Sequence, residues 1–413
     1  MIKKIESCRI CNNTSLEMVL DLGVQVLTGV FPSRIDENIT RGPLQLVKCV
    51  GDGDVCGLLQ LAHSYDLDEM YGDNYGYRSG LNDSMVKHLR DKVARILSQV
   101  SLNDGDLVID IGSNDSTTLQ AYPNPELSLV GIDPTGVKFQ EYYPEHIKLI
   151  PNFFSSDLVK TQYPGKKAKV ITSFSMFYDL EEPMTFMKEA HEVLADDGIW
   201  VFEQSYMPTM LEMNSYDTVC HEHLEYYALA QIKWMASRVG FNIIDVEFND
   251  VNGGSFSVTV KKTNELNGNK HAQLVDDILA RENDLMLNSL GPYLGFAERV
   301  KILKDDLIAF VAELNKENKK IYVLGASTKG NVLLQYCEFT KNDIAYVGEV
   351  NPEKYGKFTP GSKIPIIPEK ELVGMNPDYL LVLPWHFKKF FMSSNKYGES
   401  KLVFPLPELK VEN

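Results

Sequence analysis

The 413-residue sequence lacks any apolar run near the roughly 20 residues that a membrane-spanning helix needs. At the N-terminus no apolar core follows the basic residues, so no secretion signal is expected. Positive charge is also scarce, because 41 Lys and Arg stand against 57 Asp and Glu and leave a formal net charge of −16. Binding to phosphate backbones depends on Lys and Arg, so no nucleic-acid partner is expected. What remains is the composition of a globular protein of two or three domains, with 44% hydrophobic and 24% charged residues.

Cysteine is sparse, yet four of the six cysteines lie within the first 56 residues: Cys8, Cys11, Cys49 and Cys56. Without an export signal, this clustering predicts thiolate metal ligation in a reducing cytoplasm rather than disulfides. Two residues separate Cys8 from Cys11, which is the knuckle spacing of zinc sites, whereas six separate the second pair. Four thiolates would close the coordination sphere, so the zinc would be structural. The alternative is four free, buried cysteines.

Strand and helix patterns alternate through the middle of the chain. The apolar runs DLVID, LSLVGID, AKVITSF and GIWVFEQS are separated by helical patterns such as PMTFMKEAHEVLA, and SMVKHLRDKVARILSQV precedes them. This order predicts a parallel, doubly wound sheet with its ligand at the carboxyl ends of the strands. The stretch FNIIDVEFNDVNGGSFSVTVKK predicts a strand, a turn and a strand. An antiparallel hairpin of this kind ends the sheets of class I methyltransferases.

The turn after the first of these strands, DIGSNDS, is expected to lead into a helix, and it indicates the cofactor. It has one glycine, Gly112, where a dinucleotide fingerprint has three, and the carboxylates of Asp110 and Asp115 flank it. These acids would repel a pyrophosphate but suit the amino group and sulfonium of S-adenosylmethionine. Asp133, after the second strand, is placed to accept hydrogen bonds from ribose hydroxyls. The alternative is that the acids only cap helices. The expected cofactor-binding residues are Asp110, Gly112, Ser113, Asn114, Asp133, Pro134, Ser173 and Phe174.

A second strand, glycine turn and helix pattern, KKIYVLGASTKGNVLLQY, begins a smaller α/β unit near the C-terminus. Its turn carries Gly325, Ser327, Lys329 and Gly330, with no acid inside it. Backbone N–H groups, a hydroxyl and a lysine can together bind a phosphate. An equally open interpretation is a tight turn that packs the strand on the helix.

The stretch DTVCHEHLEYYAL places His221, Glu222 and His223 side by side. Helical zinc hydrolases use two histidines at i and i+4, and here they are two apart, so a zinc-peptidase site is disfavoured. An acid/base site stays open, because histidine titrates near neutrality and a neighbouring carboxylate can hold its tautomer. A surface helix cap is the remaining interpretation.

Taken together and in order, these motifs resemble the sugar-nucleotide C-methyltransferase family. The resemblance spans nearly the whole chain, and its most specific segments are GSND, HEHLEYY, GASTKGN, NPEKYGKFTPG and PDYLLVLPW. It implies S-adenosylmethionine-dependent methylation of the carbon beside the ketone of a deoxy-4-ketohexose nucleotide. It also implies a zinc-binding domain over residues 1–75, a methyltransferase domain over 76–263 and a Rossmann-like, nucleotide-binding domain over 264–413.

The resemblance implies roles for individual residues as well. His223 matches the base that removes the proton next to the ketone, with Glu222 beside it and His221 as a further catalytic candidate. Tyr77, in YGYRSG, matches a tyrosine that lines the pocket. The implied substrate-binding residues are Tyr77, Gly325, Ser327, Lys329, Gly330 and Asn351.

This chain departs from the family pattern at two positions. Cys220 replaces a tyrosine before HEH, and Ser116 replaces a glycine after GSND. The Cys220 departure leaves the sugar and the mode of enolate stabilisation open. The oligomeric state is also open, and a monomer is compatible with the sequence.

Three other functions remain to be weighed. The nearest is an O- or N-methyltransferase on the same scaffold. An NAD-dependent sugar-nucleotide oxidoreductase or epimerase is disfavoured, because GASTKGN lacks the second-glycine spacing and no Tyr-x-x-x-Lys motif lies near it. A non-catalytic scaffold is disfavoured by the intact GSND and HEH motifs.

Overall fold

The computed structural model describes residues 2–65, 70, 77–263 and 272–413. The N-terminal strands are β1 (Lys3–Lys4), β2 (Leu16–Val26), β3 (Arg41–Cys49), β4 (Leu59–Leu61) and β5 (His63–Ser64). β2, β3 and β4 are neighbours in an antiparallel sheet whose fourth strand, β11 (Glu225–Tyr226), comes from far along the chain. β11 pairs with β4, and Glu225 lies opposite Gln60. The small sheet therefore holds the segment that directly follows His223.

The central region is the predicted doubly wound sheet. Its strands are β6 (Leu107–Ile111), β7 (Ser128–Ile132), β8 (Ile147–Ile150), β9 (Ala168–Phe174), β10 (Leu194–Ser205), β12 (Phe241–Asn249) and β13 (Ser255–Lys262). They are arranged in the order β12-β13-β10-β9-β6-β7-β8, and β6 to β10 are parallel. β6 is buried along its whole length, as expected for a central strand covered on both faces. The carboxyl ends of the parallel strands meet at one edge, where the candidate site lies.

The predicted hairpin is confirmed, because β12 and β13 pair antiparallel and β13 continues the sheet antiparallel to β10. The helices of this region are α1 (Asp83–Gln99), α2 (Ser156–Gln162), α3 (Pro183–Val193), α4 (Met207–Glu212) and α5 (Leu229–Val239). A helix expected directly after GSND is wrong: only a 3-10 turn, Leu119–Ala121, is present. Asn114 and Ser116 both have positive φ, which is incompatible with a right-handed helix.

The C-terminal region is the predicted second α/β unit. Its strands are β14 (Ile321–Leu324), β15 (Val347–Glu349), β16 (Ile366–Pro368), β17 (Tyr379–Val382), β18 (Lys401–Phe404) and β19 (Lys410–Glu412). They lie in the order β16-β15-β14-β17-β18-β19, and β19 is the antiparallel member. The helices are α6 (Ala272–Asp284), α7 (Gly291–Lys316), α8 (Thr328–Tyr336), α9 (Glu369–Gly374) and α10 (Lys388–Ser393). None of the helices described is long and apolar enough to cross a membrane.

The hydrophobic cores join regions that are distant in sequence. One cluster combines side chains of the N-terminal sheet, such as Leu44 and Leu46, with Val332 and Leu333 of α8. A second cluster combines the cysteine-rich end of the N-terminal region with the central sheet. The N-terminal region therefore packs against both of the other two. The domain boundaries at 75/76 and 263/264 lie in or beside segments outside the described residues, and they stay a prediction.

Candidate active site and zinc centre

The four N-terminal cysteines converge. Their sulfur atoms all lie within 4.8 Å of one another, with Cys8 Sγ 3.4 Å from Cys56 Sγ and Cys11 Sγ 3.6 Å from Cys49 Sγ. Zinc–sulfur bonds of about 2.3 Å in a tetrahedron require sulfur separations of about 3.8 Å, so the four thiolates fit zinc. Four protein ligands leave no open position for substrate or water. The donor set is therefore that of a structural zinc ion.

The long second cysteine pair is accommodated by glycine. Gly51 and Gly53, between Cys49 and Cys56, have φ values of +144° and +80°, which residues with a Cβ rarely adopt. On its other side this loop is fastened to the central region. Gln231 of α5 donates from Nε2 to the carbonyl of Cys56 at 3.0 Å. The zinc loop and the helix that follows HEH therefore support each other.

The GSND turn lies at the carboxyl end of β6. Asp110 is buried, and burial raises the pKa of its carboxyl to about 7, although the Thr172 hydroxyl donates to it at 2.6 Å. Gly112 has φ +72°, and a Cβ there would lie 3.1 Å from the Met176 side chain. Ser113 shares a hydrogen bond of 2.8 Å with the Tyr143 hydroxyl. A buried acid beside a glycine turn suits a cationic ligand, because a positive charge would favour the ionised carboxylate.

Asp133 connects this turn to the next strand. Its Oδ2 accepts from the backbone N–H of Asn114 at 2.7 Å, and its Oδ1 accepts from the N–H and the hydroxyl of Thr135, each at 2.7 Å. A carboxylate has about four acceptor positions, so one remains for a ribose hydroxyl. Pro134 follows as the first residue of the 3-10 helix Pro134–Tyr142. Asp133, at the end of β7, therefore also stabilises the GSND turn at the end of β6.

Ser173 and Phe174 end β9 at the same edge. The hydroxyl of Ser173 accepts from the indole N–H of Trp200 at 2.9 Å, so this side chain is directed into the core of the sheet. Phe174 is half-buried. The expected cofactor residues thus share one edge of the sheet, and the two carboxylates with the glycine turn fit S-adenosylmethionine.

Ser116, where the family pattern has glycine, adopts φ +63°. This left-handed conformation is unfavourable for a residue with a Cβ. The Ser116 hydroxyl donates to the carbonyl of Tyr142 at 3.2 Å and accepts from the side chain of Gln120 at 2.9 Å. These two hydrogen bonds hold the serine in a conformation that glycine would adopt more easily.

Tyr77 lies next to this turn. The carbonyl of Tyr77 accepts from Nδ2 of Asn114 at 3.0 Å. The N–H of Ser79 donates to Oδ1 of the same Asn114 side chain at 3.0 Å. The Tyr77 side chain itself is 49% exposed. The structure therefore brings residues 77–80 to the GSND turn. Among the described residues no contact joins the Tyr77 side chain to His223.

HEH lies in a turn between a 3-10 turn, Tyr216–Thr218, and β11. The N–H of Leu224 donates at 2.8 Å to the carbonyl of Tyr178, in the 3-10 turn Phe177–Asp179 that follows β9. His221 is fully buried, so a surface helix cap is wrong. Several regions of the fold therefore fix this segment at the carboxyl edge of the sheet.

His223 is held in one tautomer. Its Nδ1 lies 2.9 Å from the carbonyl oxygen of Thr218, and a carbonyl can only accept. Nδ1 therefore carries the proton and Nε2 carries a lone pair. Burial, followed by the positive charge of Lys329, lowers the pKa of His223 to about 3. The imidazole is consequently neutral at physiological pH. It borders a small cavity, together with Tyr178, Ser205, Met207, Thr218 and Tyr226.

The neighbours of His223 point elsewhere. The carboxyl of Glu222 accepts from the hydroxyl of Thr28 at 3.4 Å, and burial raises its pKa. Burial lowers the pKa of His221 to about 4, and its ring packs against Tyr65 with 4.6 Å between centroids. Both side chains therefore face the N-terminal region. The group that orients the imidazole is the Thr218 carbonyl, and not a neighbouring carboxylate.

The GASTKGN turn at the end of β14 uses most of its polar groups internally. The Ser327 hydroxyl caps α8 by accepting from the N–H of Gly330 at 3.0 Å. Glu349, at the end of β15, accepts from the N–H groups of Ala326 and Asn351, at 2.9 and 3.0 Å. Asn351 in turn accepts from the N–H of Glu353 at 3.0 Å. The turn is thus held by hydrogen bonds within itself and from the end of β15.

The two glycines of this turn are required by packing. A Cβ at Gly325 would lie 2.7 Å from Pro384, and one at Gly330 would lie 2.6 Å from Leu383. The Lys329 ammonium leaves the turn and donates to the carbonyl of Asn252 at 3.0 Å. These contacts correspond to the interpretation of a tight turn that packs strand on helix.

Two residues of this site were not anticipated. Thr218 orients His223 through its main-chain oxygen, which no side-chain motif reveals. Trp385 donates from Nε1 to Asp217 Oδ2 at 2.9 Å, and both are buried. The only sequence signal for Trp385 was its place in the segment PDYLLVLPW.

Comparison with known families agrees with this arrangement. Residues 8–71 match the model described as "Putative zinc binding domain", residues 85–246 match "Methyltransferase domain", and residues 250–407 match "C-methyltransferase C-terminal domain". With its doubly wound sheet, the protein is an S-adenosylmethionine-dependent methyltransferase that carries a zinc-binding domain. It is similar over its full length to the C-methyltransferase NovU of Streptomyces niveus, with 26% identity over 422 residues, 100% of this chain and 98% of that protein. Within its class, the protein is a C-methyltransferase.

Solved structures resemble part of the chain. An S-adenosylmethionine-dependent methyltransferase from Clostridium acetobutylicum is 12% identical, with a TM-score of 0.35, over 43% of this chain and 92% of that one. The CcbJ methyltransferase from Streptomyces caelestis is 11% identical, with a TM-score of 0.34, over 43% and 90% of the two chains. The assignment rests on the three family models and on the full-length relative.

Proposed function

We propose that this C-methyltransferase acts on a nucleotide-linked 4-keto-deoxysugar and methylates the carbon beside the ketone. The observation that carries the proposal is the 2.9 Å hydrogen bond between His223 Nδ1 and the Thr218 carbonyl. It leaves Nε2 unprotonated, as a general base must be. A proton beside a ketone is acidic enough for such a base to remove.

In the proposed step, Nε2 of His223 takes the proton from the carbon. The electron pair of the C–H bond forms a carbon–carbon double bond, and the carbonyl pair moves onto oxygen to give an enolate. Bound S-adenosylmethionine would supply the electrophilic methyl group: the C–CH₃ bond forms with the electron pair of the enolate as the S–CH₃ bond breaks, the carbonyl is restored and S-adenosylhomocysteine is the leaving group. The Thr218 carbonyl keeps the imidazole oriented and stabilises the imidazolium after proton transfer.

Other groups have proposed roles around this step. S-adenosylmethionine is assigned to Asp110, the turn Gly112–Asn114, and Asp133 with Pro134, and the end of β9 at Ser173 and Phe174 lies beside it. The nucleotide is assigned to the crevice at the ends of β14 and β15, where Gly325, Ser327, Gly330 and Asn351 lie, because ligands of open parallel sheets bind there. Tyr77 is assigned to the sugar, next to the cofactor turn. Glu222 and His221 are assigned to support of the HEH turn against the N-terminal sheet.

The test uses dTDP- and GDP-linked 4-keto-6-deoxyhexoses in deuterated water, with S-adenosylhomocysteine for proton exchange and S-adenosylmethionine for turnover. Wild-type protein should exchange the proton beside the ketone and give a product with a new C–CH₃ bond, identified by mass spectrometry and NMR. His223→Asn should lower both rates by about 10²–10⁴-fold, the typical loss on removal of a general base. Cofactor affinity should remain near the wild-type value.

His146→Asn is the matched control, because this histidine is exposed and far from HEH in sequence. A product methylated on oxygen or nitrogen would contradict the proposed reaction. Methylation of carbon by His223→Asn at near the wild-type rate would move the base to another residue.

A further inference from the structure

Lys48, in β3 directly before the ligand Cys49, is only 1% exposed. Another buried lysine, Lys92, forms ion pairs with Glu203 and Glu247 at 2.7 Å each. By contrast, no carboxylate among the described residues forms an ion pair with Lys48. A buried ammonium costs stability unless an opposite charge compensates it. The compensating charge for Lys48 therefore has to come from another kind of group.

The ammonium of Lys48 is held by the backbone of the cysteine cluster. It donates to the carbonyl of Gly57, the residue after Cys56, and to the carbonyl of Cys49 at 3.5 Å. The carbonyl oxygen and Sγ of one cysteine are about 3–4.5 Å apart, so Lys48 Nζ lies within about 8 Å of Cys49 Sγ. All four sulfur atoms are within 4.8 Å of one another. The ammonium and the four thiolates are therefore close enough to attract one another strongly inside the protein.

A glycine makes room for this ammonium. Gly57 has φ +68°, and a Cβ there would lie 3.0 Å from Lys48 Nζ. The Gly57 carbonyl also accepts from Nε2 of Gln231, in α5, at 3.2 Å. The ring centroid of Tyr293, in α7, lies 5.2 Å from Nζ, within the range of a cation–π contact. Residues of the N-terminal, central and C-terminal regions therefore enclose the ammonium beside the cysteines.

Arg9 is a second buried cation at the cluster, because it lies between Cys8 and Cys11. Its Nε is 3.5 Å from Glu181 and 3.7 Å from Glu225. The charge of Arg9 is thus compensated by carboxylates. Lys48, which has no such partner among the described residues, is the cation left to compensate the thiolates.

We propose that Lys48 is the counter-ion of the zinc centre: its positive charge compensates part of the negative charge of the four thiolates, which strengthens zinc binding and makes the sulfur atoms less nucleophilic. A zinc ion with four thiolates carries two net negative charges, and a buried centre has to balance them. The ammonium of Lys48 is compensated by the same centre. Groups next to metal ligands commonly tune the metal affinity. This role depends on neither the methylation reaction nor the sugar.

The first test measures zinc affinity by competition with a chromophoric chelator. Lys48→Met keeps an apolar stem but removes the charge, and it should weaken zinc binding by about 10–100-fold, the typical loss when a group next to metal ligands is removed. Lys48→Arg keeps the charge and should recover most of the affinity.

Lys354→Met is the matched control for this test. Lys354 also donates to a carbonyl, that of Ala326 at 2.7 Å, and lies over an aromatic ring, that of Phe31 at 4.4 Å, but it belongs to the C-terminal region. This variant should bind zinc as tightly as wild type. Wild-type zinc affinity in Lys48→Met would overturn the proposal.

The second test measures the reactivity of the thiolates in zinc-loaded protein. N-ethylmaleimide alkylates the sulfur atoms, and a metallochromic indicator reports the zinc that is released. Without the ammonium the sulfur atoms carry more negative charge and are better nucleophiles. Lys48→Met should therefore release zinc several-fold faster than wild type and Lys48→Arg. Equal acceleration in Lys48→Met and Lys48→Arg would overturn the proposal in favour of a packing role.

Should Lys48→Met fail to fold, as judged by its melting transition, wild-type protein remains decisive. In zinc-loaded wild type at pH 7, ¹⁵N NMR should show Lys48 Nζ as a charged ammonium shielded from exchange with water, and Lys48→Arg identifies its signal. A neutral amine at this position would overturn the proposal. None of these measurements uses a sugar nucleotide or methyl transfer, so a failed methylation assay would count against the proposed function alone.

Discussion

At the scale of single residues, Asp133 has two roles that share one carboxylate. It accepts three hydrogen bonds from Asn114 and Thr135, and it is proposed to bind the ribose of the cofactor. The internal bonds fix the carboxylate in place before the ligand arrives, which lowers the entropic cost of binding. They also connect the end of β6 to the end of β7, so the conformation of the GSND turn depends on the Asp133 side chain.

We expect Asp133→Ala to weaken S-adenosylhomocysteine binding by about tenfold or more, because a lost hydrogen bond to a charged group costs about 1.5–3 kcal/mol. Calorimetry measures this affinity, and NAD should not bind to either protein. Asp157→Ala is the matched control, since that carboxylate is 93% exposed. Equal affinity of Asp133→Ala and wild type would place the ribose partner elsewhere.

At the scale of elements, the zinc loop and α5 form one supporting unit. The side chain of Gln231 accepts from the N–H of Ala228 at the start of α5 and donates to the Cys56 carbonyl. α5 begins directly after β11, which the small sheet holds next to HEH. Loss of zinc should therefore disturb the HEH turn through the start of α5, although no cysteine of the cluster lines the His223 cavity.

Purified wild-type protein should contain about one zinc ion per chain. Cys8→Ser should lower the zinc content and the melting temperature, because three thiolates no longer complete the coordination sphere. Atomic emission and thermal melts measure the two effects. Cys337→Ser is the matched control, because that buried cysteine lies outside the cluster. Zinc-free wild-type protein prepared without chelator would contradict the assignment.

At the scale of the whole molecule, the site is assembled where three regions meet. His221 packs on Tyr65 of the N-terminal region, His223 borders the ends of the central strands, and Lys329 comes from the C-terminal region. Burial keeps these histidines neutral in the folded protein. In the unfolded chain a histidine takes up its proton near pH 6.5.

Because burial lowers the folded-state pKa of His221 to about 4, its contribution to stability is present above pH 6.5 and is lost as the pH falls toward 4. We expect His221→Phe to remove that loss. Between pH 6.5 and 4, its unfolding free energy should fall less steeply than that of wild type, by up to about 1.4 kcal/mol per pH unit. Urea denaturation over this range measures the slopes. Parallel curves would show that His221 is not neutral by burial.

The spacing of residues along the sequence alone determined a large part of the secondary structure. The buried, β-branched run of β6, the amphipathic period of α1 and the hairpin of β12 and β13 are present as predicted, because backbone periodicity is set within a few residues. The four clustered cysteines likewise predicted the zinc centre. The helix expected after GSND failed, because two residues there take positive φ to form the turn.

Only the tertiary structure decided the surroundings of the candidate site residues. The tautomer of His223 depends on a main-chain oxygen five residues earlier, which leaves no trace in residue types. Trp385 binds Asp217 across 168 residues, and Lys329 meets Asn252 across 77. Such contacts exist because three packed regions exclude water around HEH, and no spacing within a single segment specifies which distant side chain fills that space. Sequence motifs therefore determined the candidates for base and cofactor, whereas packing decided their partners, their charges and the direction of Lys329.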